Sequence, residues 1–257
     1  MFIDIHNHII PNIDDGSDSM NTSLAMLKTA AEEGISRIIA TPHFIYGSIN
    51  NTAQYIPDSG ARIAQAALEA GIEMYFGSEV FMCPELEFLV RDGSVCRLNG
   101  SRYVLIELPM LSVPEYTKDI LFQLQLQGFT PIIAHPERNK VFQANQDQLF
   151  ALVERGILTQ VNSTSLNRLY GKDILKIAMS FIECGLVHFV GTDAHTNRGR
   201  APKMLKAYNT IVSEFGKDAA DKLFITNGQC VIENKDLMVD SPAKKKKNFF
   251  ISLFSFN

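Results

Sequence analysis

The sequence predicts an α/β fold, a (β/α)7 TIM-like barrel with a metal site at the C-terminal ends of its strands. Three observations carry the prediction. Helix, glycine and β-branched strand recur in that order along the chain, and alternating strands and helices argue a parallel sheet with right-handed crossovers. A length of 257 residues suits one large domain with an ample core. The acids and histidines fall where the strands end, and in a parallel barrel those ends share one face.

Residues 2–6 read as the first strand. Met20, Leu24, Leu27 and Ala31 share one helix face, and Gly34 ends that helix where left-handed geometry favours glycine. Residues 35–41 follow as a strand. Residues 61–70 form a helix closed by Gly71, leading into a strand at 72–80. A short helix at 84–91 precedes a strand at 103–108. Helix 114–127 closes at Gly128 before strand 130–135, and helix 148–155 closes at Gly156 before strand 157–162. Helix 172–184 closes at Gly185 before strand 186–193. Helices at 202–215 and 218–224 complete the outer layer. No linker interrupts this pattern before residue 236, so the expected division is a barrel domain, 1–236, and a basic and aromatic tail, 237–257.

Composition excludes several classes. A net charge of -4 leaves no basic excess for nucleic acid. Asp4 and His6 interrupt any secretory signal, and no stretch approaches the roughly 20 apolar residues of a membrane helix. Cys83, Cys96, Cys184 and Cys230 have no C-x-x-C spacing and read as unpaired thiols in a reducing compartment, the cytoplasm. The tail runs from Lys244–Lys247 into Phe249, Phe250, Phe254 and Phe256. It is expected to be flexible, with contact to an anionic membrane surface as the lesser reading. Oligomeric state, including a homo-oligomer, stays open.

Strand alternation points Asp4, His6 and His8 the same way, with the Asp14–Asp15 pair and Gly16 just beyond. His43 follows the second strand, Glu79 ends the third, Glu107 the fourth and His135 the fifth, while Asp193 and His195 end the seventh. His188, inside an apolar strand, reads as a core or outward-facing histidine. Singly, each of these residues is more often structural than a ligand. Together they put five imidazoles and at least four carboxylates on one rim. Crowded carboxylates lose hydration and repel one another, a cost that divalent cations remove. The nitrogen and oxygen donors, without thiolate, suit two or three ions of manganese, iron or zinc.

The sequence resembles the PHP (polymerase and histidinol phosphatase) superfamily, a distorted (β/α)7 barrel around three metals. Within it, the chain is similar to the manganese-dependent tyrosine-protein phosphatases of bacterial capsular and exopolysaccharide operons. The matching pieces are residues 3–8, Ile13-Asp14-Asp15-Gly16, Ala40-Thr41-Pro42-His43, Gly77-Ser78-Glu79, Ile106-Glu107, Ala134-His135-Pro136-Glu137-Arg138, Gln160-Val161-Asn162-Ser163 and Thr192-Asp193-Ala194-His195. The resemblance implies that His6, His8, Glu79 and Asp193 hold the first metal. Glu79 bridges to a second completed by Glu107 and His135, and Asp15, His43 and His195 hold the third. Asp15 is preferred to Asp14 because the family's ligand directly precedes the glycine. Arg138 and Arg200 match the arginines that grip phosphate. Thr192 stands where relatives have serine, and the tail has no counterpart.

The activity so implied is hydrolysis of protein phosphotyrosine, with an autophosphorylating bacterial tyrosine kinase tail as partner. A water activated between two cations would attack phosphorus in line, without a covalent enzyme intermediate. No cysteine is expected in a phosphate-cradling C-x5-R loop. The alternatives are a small-molecule phosphatase acting on a compound like histidinol phosphate, and a non-catalytic metal-binding barrel. An amidohydrolase shares H-x-H but typically has eight strands.

Overall fold

A computed structural model describes residues 1–244. Residues 245–257 lie outside it, and with them most of the expected tail and its membrane contact. Among the described residues, nine short strands, all paired in parallel, make two sheets. The first sheet holds β1 (Phe2–Asn7), β2 (Ile35–Ala40) and β4 (Glu73–Phe76). The second runs β3 (His43–Phe44), β5 (Glu79–Phe81), β6 (Tyr103–Glu107), β7 (Thr130–Ala134), β8 (Leu158–Asn162) and β9 (Phe189–Gly191).

These nine are the seven expected strands, two of them broken. The expected strand 35–41 stops at Ala40 and resumes as β3, because Pro42 has no N–H for a ladder. The expected strand 72–80 breaks at Gly77–Ser78. A Cβ on Gly77 would lie 2.7 Å from the Leu98 side chain, so the chain passes where only glycine fits. β2 pairs with β4 and β3 with β5, which keeps the order of strands unbroken. The barrel's seam lies between β9 and β1. There the Asp193 N–H donates to the His6 carbonyl (2.8 Å) and the His8 N–H to the Ala194 carbonyl (2.9 Å), around a parallel bridge of Asn7 and Ala194.

Alternate residues on the strands face two cores. Ile3, Ile5, Ile39, Tyr103, Leu105, Ile132, Leu158 and Phe189 form one buried cluster. Their neighbours Ile38, Val104, Ile106, Ile133, Val161 and Val190 join the larger cluster shared with the surrounding helices. Those helices are α1 (Met20–Glu32), α2 (Tyr55–Glu69), α3 (Leu86–Arg91), α4 (Thr117–Leu126), α5 (Lys140–Ala144), α6 (Gln146–Val153), α7 (Ser163–Leu166), α8 (Gly171–Glu183), α9 (Leu205–Phe215), α10 (Lys217–Asp221) and α11 (Asn227–Ile232). α2 begins six residues before the expected 61, because Pro57 fits a first helical turn. α5, α7 and α11 are too short to show a hydrophobic period and were not expected. Between α10 and α11 the chain is a π-helix, Lys222–Thr226. Gly34 (φ 82°) and Gly128 (φ 84°) sit in the left-handed region that the pattern required of them.

The segment after α11 stays on the barrel. Tyr103 Oη donates to the Lys235 carbonyl (2.5 Å), and the Ala243 N–H donates to the Cys184 carbonyl (2.9 Å). Among the described residues no helix is long and apolar enough to cross a membrane.

Candidate metal centre

The C-terminal strand ends bring all nine predicted ligands to one mouth. His6 is the penultimate residue of β1, and His8 directly follows the strand. Their Nε2 atoms lie 3.2 Å apart, and both lie 3.2 Å from Glu79 Oε2. Asp193 Oδ1 is 3.5 Å from His6 Nε2 and 3.6 Å from His8 Nε2. Four ligands on a tetrahedron with bonds of about 2.1 Å stand about 3.4 Å apart, so this set already has the spacing a cation demands.

Glu79, on β5, is the hub. Its Oε1 lies 2.9 Å from His135 Nε2 and its Oε2 3.2 Å from His43 Nδ1. Glu107 Oε1 is 3.6 Å from His135 Nε2, and its Oε2 is 3.8 Å from His43 Nδ1. A third set gathers His8, Asp15, His43 and His195. Asp15 Oδ1 stands 3.4 Å from His43 Nε2 and 3.3 Å from His195 Nε2. His43 thus serves two sets, those of Asp15 and of Glu79 with Glu107.

Charge explains why such a cluster wants cations. Burial pushes the Glu107 carboxyl up to about 7, and the charge of Glu79 adds to it. Burial also acts to raise Glu79, but His6, His135 and His8 outweigh it and hold that carboxyl well below its usual range. Burial acts to lower His135; its hydrogen bond to Glu79 and the surrounding carboxylates prevail and lift it to about 9. Without cations, then, protons on imidazoles balance the carboxylates. Burial pushes His43 and His195 down, which leaves free lone pairs. The buried His43 Nδ1 has no hydrogen-bond partner. These donors fit divalent ions: nitrogen and carboxylate oxygen, buried, and mutually repulsive until a cation joins them.

Residues behind the ligands aim them. Gln160 Oε1 holds His6 Nδ1 (2.7 Å), and Asp14 Oδ2 holds His8 Nδ1 (2.7 Å). His195 Nδ1 faces the Asp193 carbonyl (3.0 Å). Each contact turns the opposite ring nitrogen into the mouth. Asp14 also accepts from the His43 and Gly16 N–H groups (both 2.9 Å), so it braces the loop from which Asp15 reaches in. Asn162 donates to Asp193 Oδ2 (2.7 Å). Sequence reading assigned no role to Asp14, Gln160 or Asn162. The available signal was their placement within or beside the quoted motifs.

One expectation is corrected. Asp4 does not share the face of His6 and His8: the pairing of β1 with β2 is irregular between Asp4 and Asn7, which breaks simple alternation. Asp4 instead accepts from Thr192 N (2.8 Å), Thr192 Oγ1 (2.5 Å) and Asn7 Nδ2 (2.8 Å). It therefore pins the turn that presents Asp193. Thr192 supplies the hydroxyl that this pin needs, so threonine in place of serine costs no hydrogen bond. Both His135 (φ 33°) and Asp193 (φ 51°) hold left-handed conformations uncommon outside glycine.

Arg138 and Arg200 both reach Asp193. Arg138 Nη1 lies 3.2 Å from Asp193 Oδ2, and Arg200 Nη2 lies 2.7 Å from Asp193 Oδ1. Arg200 Nε is buried without a partner. Of the two placements left open for His188, the buried one holds: Thr159 N–H donates to its Nδ1 (3.0 Å), and burial lowers it to about 4.

The cysteines are all free. Contrary to expectation, C-x5-R spacing does occur once, from Cys96 to Arg102. It is no phosphate loop. Burial pushes the Cys96 thiol up to about 11, and Arg102 is spent on Asp236 (2.9 Å) and the Asn234 carbonyl (3.2 Å).

The family profile "Capsular polysaccharide synthesis, CpsB/CapC" matches residues 2–233. The chain belongs to this family. It is 32% identical over 254 residues to the tyrosine-protein phosphatase YwqE of Bacillus subtilis, covering 98% of this chain and 100% of that one. It is 31% identical over 237 residues to the tyrosine-protein phosphatase CpsB of Streptococcus pneumoniae, covering 90% and 98% respectively. A crystal structure from work on YwqE and CpsB, described as unique metal-dependent tyrosine phosphatases, superposes with a TM-score of 0.91 at 32% identity. It covers 95% of this chain and 100% of that one.

Proposed function

We infer that this protein hydrolyses phosphotyrosine on proteins with the help of two or three divalent cations, manganese foremost, in the cytoplasm. The single observation that carries the reading is a mouth of five imidazoles and four carboxylates overhung by two arginines. Names of relatives 31–32% identical across nearly the whole chain support it. By the same reading the substrate is the tail of a bacterial tyrosine kinase that governs capsule or exopolysaccharide synthesis.

His6, His8, Glu79 and Asp193 would hold one ion. Glu79, Glu107 and His135, with His43 alongside, would hold a second, and Asp15, His43, His195 and His8 a third. When bound, the cations lower the pKa of a coordinated water and neutralise phosphate charge. The chain's own work is positioning. Arg138 and Arg200 offer planar guanidinium donors at the edge of the mouth, suited to the equatorial oxygens of a phosphoryl group. Their grip on Asp193 keeps both guanidiniums oriented before substrate arrives, which lowers the entropy of capture. Gln160 and Asp14 keep His6 and His8 from rotating away.

The test is turnover of a phosphotyrosine peptide and of histidinol phosphate by the purified protein, with manganese and with chelator. Manganese-dependent preference for the peptide supports the reading. Preference for histidinol phosphate replaces the substrate, and inertness with added manganese leaves a binding barrel.

A further inference from the structure

A groove of ≈ 230 Å³ opens beside the metal mouth, lined by Met110, Leu111, Arg138, Lys140, Tyr170 and Ile174. It is continuous with the mouth, because Arg138 belongs to both. One side of that guanidinium meets Asp193. The guanidinium also stacks over the Tyr170 ring, its Cζ 4.7 Å from the centroid. A phosphoryl group held by Arg138 therefore has the rest of its molecule at the entrance to this groove.

The groove is built rather than incidental. Asn139 is buried and uses its whole amide. Its Nδ2 donates to the Pro109 carbonyl (2.8 Å) and the Ser112 carbonyl (3.0 Å). Its Oδ1 accepts from the N–H groups of Val141 (2.9 Å) and Phe142 (3.2 Å) at the start of α5. The Lys140 N–H donates to the Met110 carbonyl (2.8 Å). These bonds tie the loop carrying Met110 and Leu111 to the segment carrying Arg138 and Lys140. Leu111 is consequently held 77% exposed on a clamped loop, where an apolar side chain gains nothing from the fold itself. Lys140 is exposed as well, and its ammonium donates to the neutral Gln143 Oε1 (3.1 Å). At the groove wall, the Tyr170 hydroxyl is buried without a hydrogen-bond partner.

We propose that this groove is a specificity subsite that reads the residues flanking the phosphotyrosine, taking an apolar side chain against Leu111 and Ile174 and an acidic one at Lys140. The proposal rests on the phosphotyrosine reading above and adds the substrate class within it. Charge chooses the occupant: Arg138 and Lys140 stand together at the groove, so an acidic polypeptide segment complements it and a basic one is repelled. Preorganisation matters too, since a clamped loop binds an extended segment without first paying to order itself.

The experiment compares three probes on the manganese-loaded full chain. These are a phosphotyrosine peptide flanked on both sides by Leu and Glu, the same peptide flanked by Gly and Lys, and p-nitrophenyl phosphate. Wild type is expected to favour the acidic peptide in kcat/KM. Lys140→Glu should raise KM for the acidic peptide about fivefold and improve the basic one. Leu111→Ser should raise KM for the Leu-containing peptide about tenfold. KM for p-nitrophenyl phosphate, too small to reach the groove, should move less than about twofold. Equal responses of all three probes overturn the subsite while leaving the phosphatase intact. Failure of wild type on every probe overturns the phosphatase reading, and the subsite with it.

Discussion

On the reading proposed above, manganese and protons compete for the same imidazoles. In the cation-free protein His135 is lifted to about 9, against an ordinary 6.5, by its hydrogen bond to Glu79 and the carboxylates around it. It can ligate only after losing that proton. At pH 7 the loss costs about 1.36 kcal/mol for each of two units, or about 2.7 kcal/mol, a factor of about 100 in affinity. Between pH 7.0 and 8.5 the dissociation constant for manganese should thus fall about 30-fold for this one proton. His8, held well above its usual value, steepens the fall: burial opposes its charge, but Asp14 and Glu79 outweigh burial. The stability of the cation-free protein moves the opposite way. A raised histidine contributes fully below pH 6.5, and that contribution is lost as pH climbs through about 9. The assay is anaerobic titration calorimetry in two buffers of different ionisation enthalpy, which counts protons released. At least one proton per chain is expected, and fewer in His135→Gln. A dissociation constant flat from pH 7.0 to 8.5, with no proton release, would refute the competition.

Three further predictions probe separate parts. Arg138→Ala and Arg200→Ala should each lower kcat/KM for a phosphotyrosine peptide about 100- to 1,000-fold with manganese content unchanged, checked by elemental analysis of the same samples. Asp14→Asn weakens the brace on His8 and on the loop bearing Asp15; manganese affinity should drop about 10- to 100-fold, read by calorimetry. His188 stays neutral in the core down to about 4, so the unfolded chain takes up a proton there that the folded chain refuses. Stability should fall as pH drops from 6.5 to about 4, by on the order of 3 kcal/mol from this residue. Urea melts of wild type and His188→Gln across that window should converge toward acid; parallel curves would contradict it.

Much of this architecture is legible in the chain because one local rule repeats. A helix, a left-handed glycine such as Gly34 or Gly128, and an apolar strand are set by neighbours within a few residues. The strand ends therefore fall into place, and the nine candidate ligands with them. What was missed depends on contacts distant in sequence. Alternation assigned Asp4 to the face of His6, but the irregular pairing of β1 and β2 sends it to Thr192, 188 positions away. Gln160 meets His6 across 154 positions, and no local pattern announces such a pair. The breaks at Pro42 and Gly77 were written in the residues themselves, yet a break matters only once a neighbouring strand needs the missing N–H or Leu98 needs the space. Cys96 and Arg102 show the converse, a familiar spacing emptied of meaning by burial and by partners near residue 235.

Crystals of the full chain grown with manganese, measured at the manganese absorption edge, test the central claim most directly. Two or three anomalous peaks are predicted, each within bonding distance of Glu79 or Asp15 and their neighbouring imidazoles. A mouth without an anomalous peak under saturating manganese, with His6, Glu79, His135 and Asp193 still gathered there, would contradict the account.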